Sequence, residues 1–328
     1  MLFLNAAEVE QALPMGELIA IMKDAYAALS AGDVELPLRT RISVGHEDNI
    51  ALFMPAYLNL GSQEGLCLKS VSVFPGNIEK GLPTIHAAVL ALDPGTGKVE
   101  AILEGGRLTA LRTGAASGAA TDLLSRKDSR IGAIFGAGAQ GRTQLQAICS
   151  VRDLEQVWIY DTNQESIQKF IEEMSGQDPI PKDLRIARTP KEAVRNADII
   201  CTATTSKEPV FSTTDIKPGV HINGIGSYTP DMIEIPPDIF GDAGIFVGSK
   251  RGALAEAGEI LAAIDQKLIK QDQLVELGEV ILSQKTGRTA QVQVTVFKSV
   301  GVAVQDVAAT LLGLKNARDK GIGIELAW

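Results

Sequence analysis

Apolar residues recur at helical spacing through Leu18, Ile21, Met22, Ala25 and Leu29, between Pro14 and Gly32. That pattern predicts one amphipathic helix, opened at a proline and stopped by a glycine. From Leu36 to Leu103 the texture changes to short β-rich runs: RTRISV, NIALFMPAYL, LCLKSVSVF, HAAVLAL and KVEAIL. Asp93-Pro-Gly-Thr-Gly97, between the last two, reads as a tight hairpin connection. Strands that follow one another through turns predict a largely antiparallel sheet. Thr109 to Leu124 (TALRTGAASGAATDLL) is a small-residue helix that bridges into a second domain. From Ile131 onward strand and helix alternate, with candidate strands at IGAIF, VWIYD, 198–203, 219–225 and 243–248. This predicts a doubly wound parallel sheet of the Rossmann type. The segment from Val292 through TVFKSVGVAVQDVAATLLGLKNA reads as a short extended lead-in and a long amphipathic helix. A nucleotide fold complete near residue 290 leaves that tail to pack back on the N-terminal sheet. The expected class is therefore α/β: a Rossmann domain over 119–291 and a discontinuous α+β domain over 1–118 with 292–328.

A chain of 328 residues is long enough for about two domains, each with its own core. Its 45% apolar and 22% charged residues are ordinary for a soluble globular protein. A net charge of −9 argues against non-specific binding to nucleic acid or anionic membranes, yet leaves room for a local basic pocket. Cys67, Cys149 and Cys201 are isolated and odd in number, which disfavours a disulfide framework or a CxxC metal site. His46, His86 and His221 lack ligand spacing, so no metal is expected. The start, MLFLNAAEVEQALP, lacks a basic segment followed by a long apolar core, and no apolar run reaches bilayer length. The expected setting is the reducing cytoplasm.

One stretch changes the picture. After the strand IGAIF comes Gly136-Ala-Gly138-Ala-Gln-Gly141, then a helical run, then VWIYD ending at Asp161. Strand, GxGxxG, helix, second strand and an acid roughly 20 residues on form a dinucleotide-binding βαβ unit. Gly136 permits the tight turn, Gly138 lets a pyrophosphate approach the backbone, and Gly141 lets the helix pack on the strand. Ala139 and Gln140 then offer backbone groups at the helix N-terminus. Asp161 is placed to accept hydrogen bonds from the ribose hydroxyls. A carboxylate there repels a 2′-phosphate, and Thr162 and Asn163 supply no arginine to hold one, which favours NAD over NADP. Thr202 and Ala203 end another candidate strand and are expected to line the adenosine side. Ile225, Gly226, Ser227 and Tyr228 end the next and are expected to flank nicotinamide.

LPLRTRI, MPAY, GLCLKSV, KGLPTIHA, LTALRTGAASGAA, FGAGAQG, ADIICTAT, HINGIGSYTPDMIEI, LGEVI and TVFKSVGVAVQDVA occur in that order along the chain. Together they make essentially the whole sequence resemble the ornithine cyclodeaminase/mu-crystallin family. The resemblance implies a homodimer paired through a substrate-binding N-terminal domain, with NAD as cofactor. It also implies hydride exchange between nicotinamide and the α-carbon of a small amino or imino acid. Arg39, Lys69 and Arg112 match the family's substrate-binding positions, and Arg112 also a cofactor contact. Thr84 and Thr295 match cofactor-contacting hydroxyls. Such a substrate carries a carboxylate, which arginine grips as a planar fork and lysine as a point charge. Arg41, two residues from Arg39, is an alternative carboxylate ligand. Lys69 interrupts an apolar strand and Arg112 a small-residue helix, so both require polar partners. A lysine beside two arginines has a depressed pKa and suits general acid/base work, the part given to the matching lysine in the family's alanine dehydrogenases. His86 is a second proton relay by residue type, although its position resembles one held by glutamine elsewhere in the family.

Ornithine cyclodeaminases carry GGD-x-PGK after the nicotinamide-side strand, and that aspartate is assigned to the substrate's side-chain amine. Here the segment is Gly226-Ser227-Tyr228-Thr229-Pro230-Asp231, so Tyr228 stands at the aspartate position. An ornithine ammonium would be left unpaired, at a cost of several kcal/mol. The sequence therefore points to an alanine dehydrogenase or a cyclic ketimine/pyrroline-2-carboxylate reductase. Ornithine cyclodeaminase, or a non-catalytic binding protein like mu-crystallin, are the alternatives.

Overall fold

The protein is described from a computed structural model that covers residues 1–45 and 49–327. His46 lies outside the described residues. The chain forms two compact units, Met1–Arg112 with everything from Ala303 onward, and Thr113–Val302.

The first unit is built on one mixed sheet. Its opening strands are β1 (Leu2–Leu4), β2 (Val34–Glu35), β3 (Thr40–Ser43), β4 (Ile50–Asn59), β5 (Glu64–Val73), β6 (Ile85–Leu92) and β7 (Val99–Glu104). Helices α1 (Ala6–Ala12) and α2 (Met15–Ala31) lie between the first two strands. The predicted helix is α2, and it stops at Gly32 in the left-handed region (φ 87°). The hairpin expected at 93–97 closes through Gly97 N donating to Asp93 O at 2.8 Å, with the Asp93 side chain accepting from Thr96 N at 2.7 Å. Strands β4 to β7 pair antiparallel in sequence, as the pattern predicts. Strand β1 adds parallel to β7, a pairing that so short a run gave no periodicity to foresee.

Helix α3 (Gly105–Leu124) begins in the first unit and ends in the second. The second unit then reads β8 (Ile131–Phe135), α4 (Ala139–Cys149), β9 (Gln156–Tyr160), α5 (Gln164–Met174), β10 (Leu184–Ile186), α6 (Pro190–Val194), β11 (Ile199–Thr202) and β12 (His221–Gly224). It continues with β13 (Gly244–Val247), α7 (Lys250–Glu256), α8 (Gly258–Asp265), β14 (Val275–Glu276), α9 (Leu277–Ile281) and β15 (Thr295–Lys298). The strands are all parallel, in the order β10-β9-β8-β11-β12-β15-β13-β14. This is the doubly wound sheet expected. The last stretch, α10 (Ala303–Lys320) and β16 (Ile324–Glu325), returns to the first unit, where α10 packs on α2, β4 and β5.

The expected boundary at 292 requires correction. Residues 295–298 are not a lead-in to the tail but a fully buried strand inserted between β12 and β13. Thr295-Val-Phe-Lys298 looks like a loose connector in sequence, because burial on both faces leaves no in-out alternation to mark it. The chain crosses between units after Val302, and the earlier crossing follows Arg112 rather than residue 118.

One buried group makes the second unit acid-sensitive. The His221 ring is fully buried, 2.9 Å from Thr295 Oγ1 and 3.2 Å from Asn223 Oδ1, and burial depresses its pKa to about 3. Between that value and 6.5 the unfolded chain binds the proton that the folded chain refuses, so stability falls as pH drops through this window. Thermal melts from pH 7 to about 4.5 are expected to show a steeper fall for the wild type than for His221→Gln. Parallel curves would remove His221 as the cause.

Candidate active site

On β5 the side chains alternate, so Gly65, Cys67 and Lys69 share the buried face. A Cβ on Gly65 would sit 2.5 Å from the Val307 side chain, so this face is covered closely by α10. Lys69 Nζ donates to Asp306 Oδ1 at 3.1 Å and to Oδ2 at 3.3 Å. From α3, Arg112 Nε donates to the same Asp306 Oδ1 at 3.1 Å, and Arg112 Nη1 donates to Gln305 Oε1 at 2.6 Å. Gln305 Nε2 in turn donates to the Tyr26 hydroxyl of α2 at 2.7 Å. Lys69, Arg112 and Asp306 are 3%, 5% and 1% exposed, so two cations meet one carboxylate out of water. Burial lowers the Lys69 pKa to about 8, Asp306 opposes the fall, and Arg112 and then Arg39 add to it.

Arg39 is half-buried, and its pKa is lowered by burial and by the charges of Arg112 and Arg41. The structure thus gathers Arg39, Lys69 and Arg112 into one electropositive cluster. Arg41 is exposed on β3. His86 is exposed at the start of β6, and Thr84, half-buried, lies just before that strand with its carbonyl accepting from Phe74 N at 2.8 Å. The residue missed by sequence reasoning is Asp306, along with Gln305 and Tyr26. An acid at the centre of GVAVQDVAAT carries the same signal as Lys69, an ionisable group inside an apolar run.

The glycine turn in the second unit follows β8. Gly136 has φ 98° and a Cβ there would lie 2.5 Å from Ala203 O, so only glycine fits. A Cβ on Gly141 would collide with Gly136 O, so closely does α4 lie on the turn. Nothing lies within 4 Å of the Cβ direction at Gly138, the helix N-cap, and no side chain caps α4. Gly138 and Ala139 are exposed, and Gln140 Oε1 is buried without a hydrogen-bond partner. An uncapped helix N-terminus beside open space fits a pyrophosphate. Asp161, just past β9, accepts from Ala137 N at 2.8 Å and from Asn163 N at 2.9 Å, so it also fastens the glycine turn. Arg142, unforeseen, braces the same turn by donating to Ala137 O and, at 3.2 Å, to Gly138 O.

At the carboxyl ends of β11 and β12, Thr202 and Ser227 are fully buried, so their side chains point into the protein fabric. Thr202 Oγ1 donates to Glu234 Oε2 at 3.0 Å, and Ser227 Oγ donates to Glu259. What the turn offers outward is backbone and the Tyr228 ring, which is 41% exposed. Asp231 does not replace the aspartate that Tyr228 displaces, since its carboxylate accepts from Thr229 Oγ1 at 2.6 Å and pairs with Lys207 at 2.8 Å. Thr295 stands apart from the other expected contacts. It begins β15 at the amino end, opposite His221, and its hydroxyl accepts from Arg288 Nη2 at 2.9 Å. Lys298, at the carboxyl end of that strand, is the residue of β15 that reaches the turn, donating to Ser227 O at 2.7 Å. Among the described residues no group of three His, Cys, Asp or Glu side chains is arranged to hold a metal, and no helix is long and apolar enough to cross a membrane.

A GxGxxG turn at the carboxyl edge of a parallel sheet, opening an uncapped helix, defines a dinucleotide-binding protein. The chain belongs to the ornithine cyclodeaminase/mu-crystallin family, whose profile matches residues 1–321. It is 36% identical over 325 residues to a Δ1-pyrroline-2-carboxylate reductase of Bacillus cereus, covering 98% of each chain. Among solved structures, Thermococcus litoralis Δ1-pyrroline-2-carboxylate reductase in complex with NADH and L-proline superposes with a TM-score of 0.93 at 39% identity, covering 99% of this chain and 100% of that one. An archaeal alanine dehydrogenase dimer with bound NAD gives 0.91 at 31% identity, covering 100% and 99%.

Proposed function

We propose that this chain is an NAD(H)-dependent reductase of a cyclic imino acid, with Δ1-pyrroline-2-carboxylate as substrate and L-proline as product. The observation that carries the reading is the buried Lys69–Asp306–Arg112 cluster with Arg39 beside it, in a family of nicotinamide enzymes. The likeness to pyrroline-2-carboxylate reductases, at 36% and 39%, exceeds that to the alanine dehydrogenase, at 31%. Tyr228, standing where ornithine cyclodeaminases carry an aspartate, supplies no carboxylate for an ornithine ammonium.

Arg112 and Arg39 bind the substrate carboxylate, each offering a planar guanidinium fork that matches it. Lys69, held ionisable near neutrality, gives its proton to the imine nitrogen during reduction and takes it back during oxidation. Asp306 sets the Lys69 and Arg112 side chains in place and keeps Lys69 charged enough to donate. The glycine turn binds the pyrophosphate and Asp161 the ribose. Bound NADH supplies the hydride, a step for which the protein contributes orientation.

We also place the enzyme in the cytoplasm as a homodimer. The three cysteines are buried thiols, each pushed up to about 12 by burial. Leu38, Ile42, Ile78, Leu82 and Ile85 are 48–73% exposed in the first unit, an apolar set suited to a second copy. Sedimentation is expected to give a dimer at micromolar protein, and a monomer would overturn the pairing.

Asp161→Ala should weaken NADH binding more than tenfold and narrow the gap to NADPH, since a hydrogen bond to a charged group is worth roughly 1.5–3 kcal/mol. Unchanged affinity and preference in a fluorescence titration would take Asp161 off the ribose. Substrate choice is tested by following NADH consumption with Δ1-pyrroline-2-carboxylate, its six-membered homologue, and pyruvate plus ammonia. The five-membered imine should have the highest kcat/KM. Fastest turnover with pyruvate and ammonia would make the chain an alanine dehydrogenase instead.

A further inference from the structure

Beneath the turn that ends β12 lies an ionic cluster that the proposed mechanism leaves unused. Glu234 is fully buried, and both its oxygens are occupied by donors. Oε1 accepts from Thr204 N at 2.6 Å and Thr204 Oγ1 at 2.8 Å. Oε2 accepts from Thr202 Oγ1 at 3.0 Å, Gly226 N at 2.7 Å and Ser227 N at 3.0 Å. One carboxylate therefore ties the segment after β11 to the segment after β12. There is no slack between them, since a Cβ on Gly226 would collide with Thr204 O.

A second carboxylate and an ammonium complete the cluster. Lys298 Nζ donates to Ser227 O at 2.7 Å and to Ser227 Oγ at 3.0 Å, and it pairs with Glu259 Oε1 at 3.2 Å. Glu234, Ser227 and Glu259 are 0% exposed and Lys298 1%. Buried ion clusters are poor sources of stability, because desolvation offsets the attraction and an apolar packing of equal volume serves as well. What such a cluster provides is a fixed backbone geometry. The backbone it fixes is the turn at the carboxyl edge of the sheet, where parallel sheets bind their ligands.

We propose that Glu234 is a positioning residue that holds the Ile225–Tyr228 turn in the shape that receives the nicotinamide ring. The inference rests on the reading of the chain as a nicotinamide-dependent enzyme. It carries a charge consequence as well. Two carboxylates face one ammonium, and the surplus negative charge beneath the turn favours the oxidised ring, which is cationic, over the reduced one, which is neutral.

The test is a binding titration of the full-length protein with NADH, NAD⁺ and ADP-ribose, which has the adenosine and pyrophosphate but no nicotinamide. In Glu234→Gln, which keeps shape and removes charge, the NADH dissociation constant is expected to rise about tenfold while that of ADP-ribose stays within about twofold. NAD⁺ should lose more than NADH. Equal losses for all three ligands, or no loss for any, would overturn the proposal. If Glu234→Gln does not fold, as judged by its melting curve, Ser227→Ala and Thr204→Val carry the test. Each removes one hydroxyl of the network, and each should separate NADH from ADP-ribose by about threefold in the same direction; no separation would overturn it. A wild-type protein that binds ADP-ribose but neither dinucleotide would defeat the functional reading itself and this inference with it.

Discussion

Replacing Lys69 by arginine is expected to cut the turnover number for imine reduction by at least about 100-fold, the usual cost of losing a general acid/base. Arginine keeps the positive charge beside Asp306 and Arg112 but does not release a proton in the working pH range. Binding of substrate and of NADH should therefore suffer far less than turnover. The wild-type pH profile gives the sign. With the Lys69 pKa lowered to about 8, the donating ammonium predominates below that value and the accepting amine above it. Reduction should fall as pH rises through about 8, and proline oxidation should rise through the same value. In Lys69→Arg both limbs should vanish. A Lys69→Arg enzyme that turned over normally would leave Lys69 as a charge alone.

The second large effect concerns Asp306, a carboxylate shared by Lys69 and Arg112. Asp306→Ala leaves two cations buried without their counter-charge, and breaking a buried pair in this way costs about 3–5 kcal/mol. Urea unfolding should show that loss. Asp306→Asn is the gentler probe, since it keeps the volume and one acceptor. It removes the attraction that opposes burial, so the Lys69 pKa should move below about 8 and carry the pH limb with it. A limb that stayed in place would show that Asp306 does not tune Lys69.

The legibility of these features in the sequence followed physical reasons. Strands β4 to β7 were readable because each has a solvent-facing side and therefore alternates. The strand–glycine–helix–strand–acid order around Gly136 was readable because each member answers a steric or electrostatic demand at fixed spacing. Strand β15 was not, since all four of its residues are buried and its polar Lys298 finds its partners, Glu259 and Ser227, elsewhere in the fold. Lys69 and Arg112 stood out as charges in apolar surroundings, but their shared partner lay some 200 residues away on a helix that sequence reading treated only as packing. Thr295 shows the opposite failure. It matched a pattern, yet it sits at the amino end of its strand with its hydroxyl bound to Arg288. Which end of a parallel strand a residue occupies decides whether it faces the ligand, and that depends on where the strand begins.

A reductase of the kind proposed delivers hydride from NADH to the α-carbon of the cyclic imine. The direct test is turnover of Δ1-pyrroline-2-carboxylate in ordinary water with NADH deuterated at both C4 positions. L-Proline should form in equal amount to the NADH consumed and carry a single deuterium at its α-carbon. Proline without deuterium, or no oxidation of NADH while ammonia is released from L-ornithine, would contradict the account.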